Sequence, residues 1–199
     1  MEALVLPGVL IDHRLISEGD EHALLSEERG AFASSVAKVQ RASGAARMVA
    51  RELLVGFGHL RQAIPKSASG VPVWPAGVVG SLAHDAAIAV AAVALRRDYS
   101  GLGIDVEPNE PLDPELVPIV ATADERQQIC DDPHRARLLF AIKEAVYKAV
   151  YPLDGRFLDH HDVNICLSSC RASVQGGRVV NFRVCAATHI VVLATVPSG

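Results

Sequence analysis

Two acidic residues near the middle of the chain have a spacing that could bind a metal ion. Residues 101–107 read Gly-Leu-Gly-Ile-Asp-Val-Glu and predict a short strand followed by a proline-marked loop. Alternate side chains of a strand share a face, so Asp105 and Glu107 should point one way while Ile104 and Val106 enter the core. Neighbouring carboxylates repel each other unless a cation lies between them. Such hard oxygen ligands suit Mg2+, which often also binds substrate phosphates.

A third candidate carboxylate lies on a predicted helix over residues 138–150, which contain no helix breaker. Its apolar residues recur at helical spacing, and its polar face is expected to carry Lys143, Glu144, Tyr147 and Lys148. Glu144 and Lys148 are one turn apart, so an ordinary solvated ion pair explains them equally well. The alternative is a third metal ligand flanked by two phosphate-binding lysines.

Further cations lie upstream of these segments. Arg47 and Arg51 are one turn apart on a predicted helix, where surface solubility alone could explain them. Lys66 lies on a loop rich in proline and serine, and its plain interpretation is an exposed loop lysine. His84 ends a predicted strand in Gly-Ser-Leu-Ala-His, where a lone histidine is more often structural than functional.

Together these segments resemble the 4'-phosphopantetheinyl transferases of the monomeric surfactin and enterobactin type. The resemblance depends on Gly-Ile-Asp-Val-Glu at 103–107 followed by Lys-Glu-Ala-Val-Tyr-Lys at 143–148, with support from residues 72–84. It covers about Arg47 to Asp162. It implies transfer of the phosphopantetheine arm of coenzyme A to a serine of an apo acyl or peptidyl carrier protein. A fatty-acid, polyketide or nonribosomal-peptide carrier would each fit.

The resemblance also implies roles for the candidate residues. Mg2+, or Mn2+ in its place, would be held by Asp105, Glu107 and Glu144. Glu144 would be the base and Lys148 would stabilise the leaving phosphate, with Lys143 beside the same phosphates. The 3'-phosphate of coenzyme A would be held by residues of the N-terminal part of the chain. These are Arg47, Lys66, His84, the backbone of Ala83 and, as a weaker candidate, Arg51.

Three positions depart from the family pattern. Ala83 replaces a frequent hydroxyl residue, so that only a backbone N–H could contact phosphate there. Asp85 follows His84 where a small residue or cysteine is usual, and it could either orient His84 or repel phosphate. Ser69 stands where relatives are often basic. These changes bear on coenzyme A binding rather than on the metal chemistry.

Composition limits the class of protein. The net charge of −4 argues against a general nucleic-acid binder, and 199 residues that are 50% hydrophobic can bury a sizeable core. The four cysteines lack paired CxxC spacing and are expected to be reduced. With no export signal and no apolar run long enough to span a membrane, the sequence predicts a cytoplasmic protein without membrane contact. Chain length and the resemblance predict a monomer.

The predicted fold class is α+β, and the resemblance implies two similar halves related by a pseudo-twofold axis. We expect an N-terminal half over 1–98 with the phosphate clamp, and a C-terminal half over 99–199 with the metal site and the Lys-Glu helix. Locally, Ser26 is expected to cap a helix, Gly44 to bend or divide the next one, and residues 152–155 to form a turn. Short strands are expected over 77–95 and 163–196.

Two other functions remain open at this point. A non-catalytic module that binds coenzyme A or a nucleotide would need Arg47, Lys66 and His84 but no metal carboxylates. A metal-dependent phosphoesterase would need a placed water and often a second metal, for which His160 and His161 offer the only support. Residues 159–162, Asp-His-His-Asp, are more simply interpreted as a polar loop, because contiguous side chains cannot all reach one ion.

Overall fold

The computed structural model describes residues 2–199 and has the predicted α+β architecture. Its α-helices are α1 (Ser26–Arg29), α2 (Ala37–Val55), α3 (Val117–Val120), α4 (Ala123–Ile129) and α5 (Pro133–Asp154). Its strands are β1 (Val9–Leu15), β2 (Val78–His84), β3 (Ile88–Leu95), β4 (Tyr99–Pro108), β5 (Val163–Cys166), β6 (Arg171–Val174), β7 (Val179–Ala186) and β8 (His189–Pro197). Short 3-10 turns connect several of these elements. The strands predicted over 77–95 and 163–196 are therefore confirmed.

The strands form two antiparallel sheets, each covered by one long helix. The first sheet has the order β1-β3-β2, and α2 packs on it. The second has the order β4-β8-β7-β6-β5, and α5 packs on β4 and β8. Both long helices bury one apolar face against their sheet, as amphipathic helices of a layered domain do.

The two sheets share a hydrophobic core where β2 packs against β4. Residues from β2 and β3 meet residues from β4 and β8 there, and Ile104 and Val106 are fully buried among them. The alternation predicted for β4 is thus confirmed for its core-facing residues. The exposed turn at Arg96–Asp98 joins the two sheets along the chain. The division of the chain into halves at residue 98 remains a prediction.

Close contact between α5 and β4 depends on two glycines of the strand. A Cβ on Gly103 would lie 1.9 Å from the carbonyl oxygen of Ala145, and one on Gly101 would lie 2.4 Å from that of Ala149. Both distances are far below van der Waals contact, so only glycine permits this approach. Gly101, Gly103 and Asp105 alternate along β4 and therefore face the helix together.

Three local expectations were wrong. Helix α1 begins at Ser26, and the preceding Leu25 donates its backbone N–H to Glu28 at 2.9 Å, so Ser26 is not the N-cap. Helix α2 runs through Gly44 without a break. This glycine instead allows the helix to approach the carbonyl oxygen of Asp20, which a Cβ at position 44 would meet at 2.0 Å. Helix α5 continues through Pro152 and ends at Asp154, and its C-cap is Gly155, whose φ is 62°. A proline in the last turn removes few backbone hydrogen bonds.

Among residues 2–199, no helix combines the length and the apolar character that crossing a bilayer requires. No disulfide joins the cysteines of the same range.

Candidate active site

Asp105 is the central carboxylate of the candidate site. It lies on β4 beneath α5 and is 5% exposed. Lys148, on α5, donates a hydrogen bond from Nζ to Asp105 Oδ1 at 2.6 Å, while Oδ2 is buried and has no hydrogen-bond partner. Burial raises the pKa of Asp105, although the Lys148 ammonium opposes this shift. An ion pair between Lys148 and Glu144 was one of the two interpretations that the sequence left open, and in the structure Lys148 is instead paired with Asp105.

Glu107 lies two residues further along β4 and is paired with an arginine that sequence reasoning missed. Arg137, near the start of α5, donates a hydrogen bond to Glu107 Oε2 at 2.9 Å. Burial and the negative charge of Asp105 both raise the pKa of Glu107, against the effect of Arg137. Asp105 and Glu107 therefore interact as the strand periodicity predicted.

Glu144 lies on α5 with its side chain 31% exposed. Burial raises the pKa of Glu144, and the charge of Asp105 adds to this effect while Lys148 opposes it. Glu144 Oε1 also lies 3.9 Å from His160 Nε2. The third carboxylate is thus electrostatically coupled to Asp105, although it comes from a segment almost forty residues further along the chain.

A divalent cation fits the chemistry of this donor set. Within residues 2–199 no three such side chains already surround a point in metal-binding geometry, and Lys148 and Arg137 each occupy a carboxylate oxygen. The unpartnered Oδ2 of Asp105 is nevertheless a buried acceptor that needs a cation or a donor. Burial is the main cause of the raised pKa values of all three carboxylates, and the charge of Asp105 adds to it for the two glutamates, so a bound cation would favour their ionised forms. The assignment of all three as metal ligands remains a prediction.

A cavity of about 300 Å³ lies beside Lys148, between the first sheet and the C-terminal end of α5. Lysine, arginine and histidine side chains from four elements line it, namely Arg47 of α2, Lys66 of the following loop, His84 of β2 and Lys148 of α5. The sequence therefore identified all four cationic lining residues, although they are spread over about one hundred positions.

Arg47 is 2% exposed and is fixed by backbone and aromatic contacts. Its Nε donates to the Ile64 carbonyl at 2.9 Å and its Nη1 donates to the Ser43 carbonyl at 3.2 Å. The Arg47 guanidinium and the Lys66 ammonium both lie 4.7 Å from the centre of the Phe32 ring. Arg47 Nη2 is buried and has no hydrogen-bond partner, so this guanidinium retains a donor for an anionic ligand.

His84 borders the same cavity at the end of β2. Burial and the positive charges of Lys148 and Lys66 lower the pKa of His84, against an opposing effect of Asp85. The ammonium groups of Lys148 and Lys66 therefore disfavour the protonated form of His84, although Lys148 is itself paired with Asp105 at 2.6 Å. An anionic ligand in the cavity would relieve this repulsion and would favour the protonated form of His84.

Neither Lys143 nor Arg51 lines the cavity, although both were predicted to bind phosphate, and Ala83 is not among the lining residues either. Lys143 is 1% exposed and donates to Glu125 at 2.7 Å and to the carbonyls of Val120 and His160, both at 2.8 Å. It cannot lie beside Lys148, because five positions correspond to about 140° around a helix. The placement of Lys143 on the phosphate-binding face was therefore wrong.

Arg51 has its own structural partners. It donates twice to the buried carboxylate of Glu28, at 3.0 and 3.2 Å, and once to the Ala23 carbonyl at 2.7 Å. Glu28 also accepts the Ile64 N–H at 2.8 Å, so this network holds the start of the loop that carries Lys66. Arg51 is thus a scaffold residue, in place of the weaker ligand role expected for it.

The three positions that depart from the family pattern have different locations relative to the cavity. The Ala83 side chain is 5% exposed and packs in the core shared by the sheets, so it offers no side-chain contact to a ligand. Ser69 lines the cavity. Asp85 does not line it and is engaged elsewhere.

Several cavity-lining residues were missed. The buried hydroxyl residue Ser81 lines the cavity, and the Ser-x-x-His pattern that it forms with His84 was the signal available in the sequence. Tyr147 and Tyr151 also line it, with ring centres 5.2 Å apart. The i,i+4 spacing of these tyrosines could have identified them as a pair on one face of α5.

Comparison with known proteins agrees with this geometry. Residues 27–94 match the family model for the 4'-phosphopantetheinyl transferase N-terminal domain, and residues 101–188 match that for the 4'-phosphopantetheinyl transferase superfamily. The chain is similar to the 4'-phosphopantetheinyl transferase Npt of Nocardia iowensis, with 34% identity over 87% of this chain and 79% of the relative. It is also similar to Svp of Streptomyces mobaraensis, with 35% identity over 84% and 72%. PptT of Mycobacterium tuberculosis is 36% identical over 82% and 75%.

Proposed function

The chain belongs to the 4'-phosphopantetheinyl transferase superfamily, and we propose that it converts apo carrier proteins to their holo forms. It transfers the 4'-phosphopantetheine moiety of coenzyme A to a serine of an acyl or peptidyl carrier protein and releases adenosine 3',5'-bisphosphate. The observation that carries this proposal is the cationic cavity lined by Arg47, Lys66, His84 and Lys148, which lies next to the carboxylates around Asp105.

The reaction needs charge stabilisation and alignment more than covalent catalysis. The serine oxygen attacks the β-phosphorus, a new P–O bond forms there, and the bond to the α-phosphate oxygen breaks. The serine proton passes to a base, and the leaving α-phosphate takes up negative charge. Fixed cations beside the phosphates lower the cost of this charge, as is general for phosphoryl transfer.

The clamp for the 3'-phosphate would consist of Arg47, Lys66 and His84. Arg47 is held rigidly by the carbonyls of Ile64 and Ser43 and has a free donor at Nη2, which favours a fixed contact to a phosphate oxygen. Lys66 lies on an exposed loop beside Ser69 and can adjust to the ligand. The same clamp would give the enzyme its preference for coenzyme A over the form that lacks the 3'-phosphate.

A divalent cation, Mg2+ or Mn2+, would be held by Asp105, Glu107 and Glu144. When bound, it would screen the charge of the pyrophosphate oxygens. Lys148 would contact the phosphate on the leaving side, at the end of the cavity that it already lines. Its hydrogen bond to Asp105 keeps the ammonium next to the carboxylates rather than free in solvent.

Glu144 is our candidate for the general base. It is partly exposed, so a serine presented by a carrier protein could reach it, and its raised pKa makes it a stronger proton acceptor than a solvated glutamate. Arg137 and Lys148 already neutralise Glu107 and Asp105, whereas the ring of His160 lies 3.9 Å from Glu144.

Further parts of the proposal concern the assembly. Residues 1–98 would form the half with the clamp and residues 99–199 the half with the carboxylates, so one chain contains a whole site and can act as a monomer. The carrier protein would dock on the region 108–126, where Leu116 and Ile119 are 44% and 57% exposed. Such apolar positions beside the partly exposed Glu144 suit a protein partner. The proposed location of the protein is the cytoplasm.

The test is to incubate the protein with coenzyme A, Mg2+ and an apo carrier protein, and then to measure the mass of the carrier. A gain of one phosphopantetheine on its serine supports the transferase. Adenosine bisphosphate without carrier modification would indicate a hydrolase, and coenzyme A binding without either product would indicate a binding module. Omitting Mg2+ in the presence of a chelator should abolish the gain.

A further inference from the structure

Asp85 directly follows His84 but does not line the cavity. It lies in the turn between β2 and β3, where its Oδ1 accepts hydrogen bonds from the backbone N–H groups of Ala87 at 2.6 Å and Ile88 at 2.8 Å. Its other oxygen, Oδ2, lies 3.0 Å from Nε2 of His189. Both carboxylate oxygens of Asp85 therefore have partners within the protein.

The contact between Asp85 and His189 is shielded from solvent. The Asp85 side chain is 8% exposed and the His189 side chain 23% exposed. The hydroxyl of Thr188 lies 3.2 Å from Nδ1 of His189, so the imidazole has a polar neighbour at each nitrogen. A carboxylate with so little access to water depends on its partner, because leaving it unpaired carries a large desolvation penalty.

This contact joins the two sheets at the end where the carboxylates lie. Asp85 belongs to the turn of the first sheet, whereas His189 is the first residue of β8 in the second sheet. In the register of β4 and β8, His189 lies opposite Pro108, and the next residue, Ile190, lies opposite Glu107. The turn that follows His84 is thus tied to the strand pair that presents Glu107.

Asp85 also acts on the charge of His84. The backbone and the carboxylate of Asp85 both raise the pKa of His84, whereas burial, Lys148 and Lys66 lower it. Asp105 is the other acidic group coupled to this imidazole, since His84 in turn lowers the pKa of Asp105. Asp85 therefore favours the cationic form of His84 in a cavity whose other near charges include two lysines.

We propose that Asp85 and His189 form a positioning pair that fixes His84 in the clamp and so sets the selectivity for the 3'-phosphate of coenzyme A. This inference rests on the proposed function, because it assigns a task to His84 in binding that phosphate. Asp85 and His189 touch no ligand themselves. They act by holding the turn against β8 and by supporting the charge of the imidazole next to it.

The first test follows the His84 imidazole by NMR titration without any substrate, with its signal assigned from a His84→Asn variant. Asp85→Asn retains an oxygen for the two turn N–H groups but removes the charge, so the pKa of His84 should fall. Asp12→Asn is a matched control, because Asp12 and His13 form an exposed pair on β1 at 3.6 Å. An unchanged His84 titration in Asp85→Asn would overturn the electrostatic part of the proposal.

The second test compares kcat/KM for coenzyme A and for dephospho-coenzyme A. His84→Asn, Asp85→Asn and His189→Ala should each reduce the preference for coenzyme A. For Asp85→Asn and for His189→Ala we expect a reduction of roughly tenfold, which is the size expected for groups that are in contact and energetically coupled. The double variant of Asp85 and His189 should be no worse than either single variant. Asp12→Asn should leave the preference unchanged. His189→Gln replaces His189→Ala if the alanine variant does not fold.

The outcomes separate the pair from the proposed function. If His84→Asn keeps the preference for coenzyme A, the clamp assignment is wrong and this inference is lost with it. If His84→Asn loses the preference while Asp85→Asn and both His189 variants keep it, the clamp stands and the positioning pair is rejected. Loss of the preference for coenzyme A in all of these variants, with normal melting temperatures, supports the pair. A general loss of stability would instead lower activity with both substrates.

Discussion

Glu144 has weaker ion-pair contacts than the other two candidate carboxylates, Asp105 and Glu107. Asp105 is paired with Lys148 at 2.6 Å and Glu107 with Arg137 at 2.9 Å, whereas the contact of Glu144 is with the His160 ring, at 3.9 Å. A carboxylate that is partly buried, weakly paired and close to another carboxylate holds a proton more tightly than a solvated one. These are the properties that a general base requires.

Glu144→Gln should therefore reduce the transfer rate by about a hundredfold or more while coenzyme A still binds. Because the base acts when ionised, the wild-type rate should rise with pH through the pKa of Glu144, which lies above its ordinary value. The variant should lose this rise. The rate is measured by carrier mass and binding by calorimetry, with Glu52→Gln on the exposed side of α2 as control. Normal turnover in Glu144→Gln would exclude Glu144 as the base.

Cys166 is a second residue whose surroundings predict its chemistry. Its Sγ lies 3.3 Å from the Ser168 hydroxyl, and hydrogen bonds from Ser168 and Ser169 lower the pKa of Cys166 to about 7. Since the thiolate is the nucleophile, alkylation by iodoacetamide should increase as pH rises through about 7. Peptide mass mapping should find Cys166 modified before the exposed Cys130 at neutral pH. Equal rates at both positions would contradict this.

At the scale of the element, α5 performs two tasks on two faces. One face presents Glu144 and Lys148 towards the carboxylates and the cavity, and the other inserts Lys143 into a buried ion pair with Glu125. Both tasks require the helix to lie at a fixed distance from β4. That distance is set by Gly101 and Gly103, over which the backbone of α5 passes.

Gly103→Ala should therefore disturb the site as well as the fold. Its Cβ would lie 1.9 Å from the Ala145 carbonyl, so the helix must move outward and carry Lys148 away from Asp105. We expect a loss of about 3 kcal/mol or more in the free energy of unfolding, at the upper end for overpacking. Gly30→Ala is the matched control, because a Cβ there meets nothing within 4 Å and its φ is −55°. Denaturant unfolding of both variants gives the comparison.

Lys143 provides a test of the role that the structure gives it. Lys143→Met leaves the buried carboxylate of Glu125 without its cation, which should cost about 3–5 kcal/mol of unfolding free energy. The KM for coenzyme A of the protein that remains folded should not change, because Lys143 does not line the cavity. A large rise in KM with normal stability would instead restore Lys143 to the phosphate site.

The same helix shows what the sequence could and could not predict. Strand alternation correctly gave Ile104 and Val106 as core residues, because it depends only on local geometry. Lys143 was misplaced because its partner, Glu125, is eighteen positions away and becomes a neighbour only in the folded chain. Arg51 was misjudged for the same reason, since Glu28 lies twenty-three positions before it. Charge and spacing identified the candidates, but only tertiary contacts decided which of them face the ligand.

At the scale of the whole molecule, the candidate site depends on contact between two sheets. Arg47, Lys66 and His84 come from α2, from the loop that follows it and from β2, whereas Lys148 comes from α5. The two sheets share one apolar core, formed by buried residues of β2 and β3 on one side and of β4 and β8 on the other. The turn at Arg96–Asp98, which connects them covalently, lies at the surface.

An intact peptide bond at that turn should therefore contribute less to holding the two sheets together than burial of their shared core does. A protease site inserted at Arg97 should allow cleavage there, and the two fragments should remain together on size-exclusion chromatography with transferase activity largely retained. Residues 1–98 or 99–199 expressed alone would expose the apolar face of β2 and β3 or of β4 and β8, and should aggregate or lack a cooperative unfolding transition. Independent cooperative folding of either fragment would contradict the view that the shared core holds the clamp against the carboxylates.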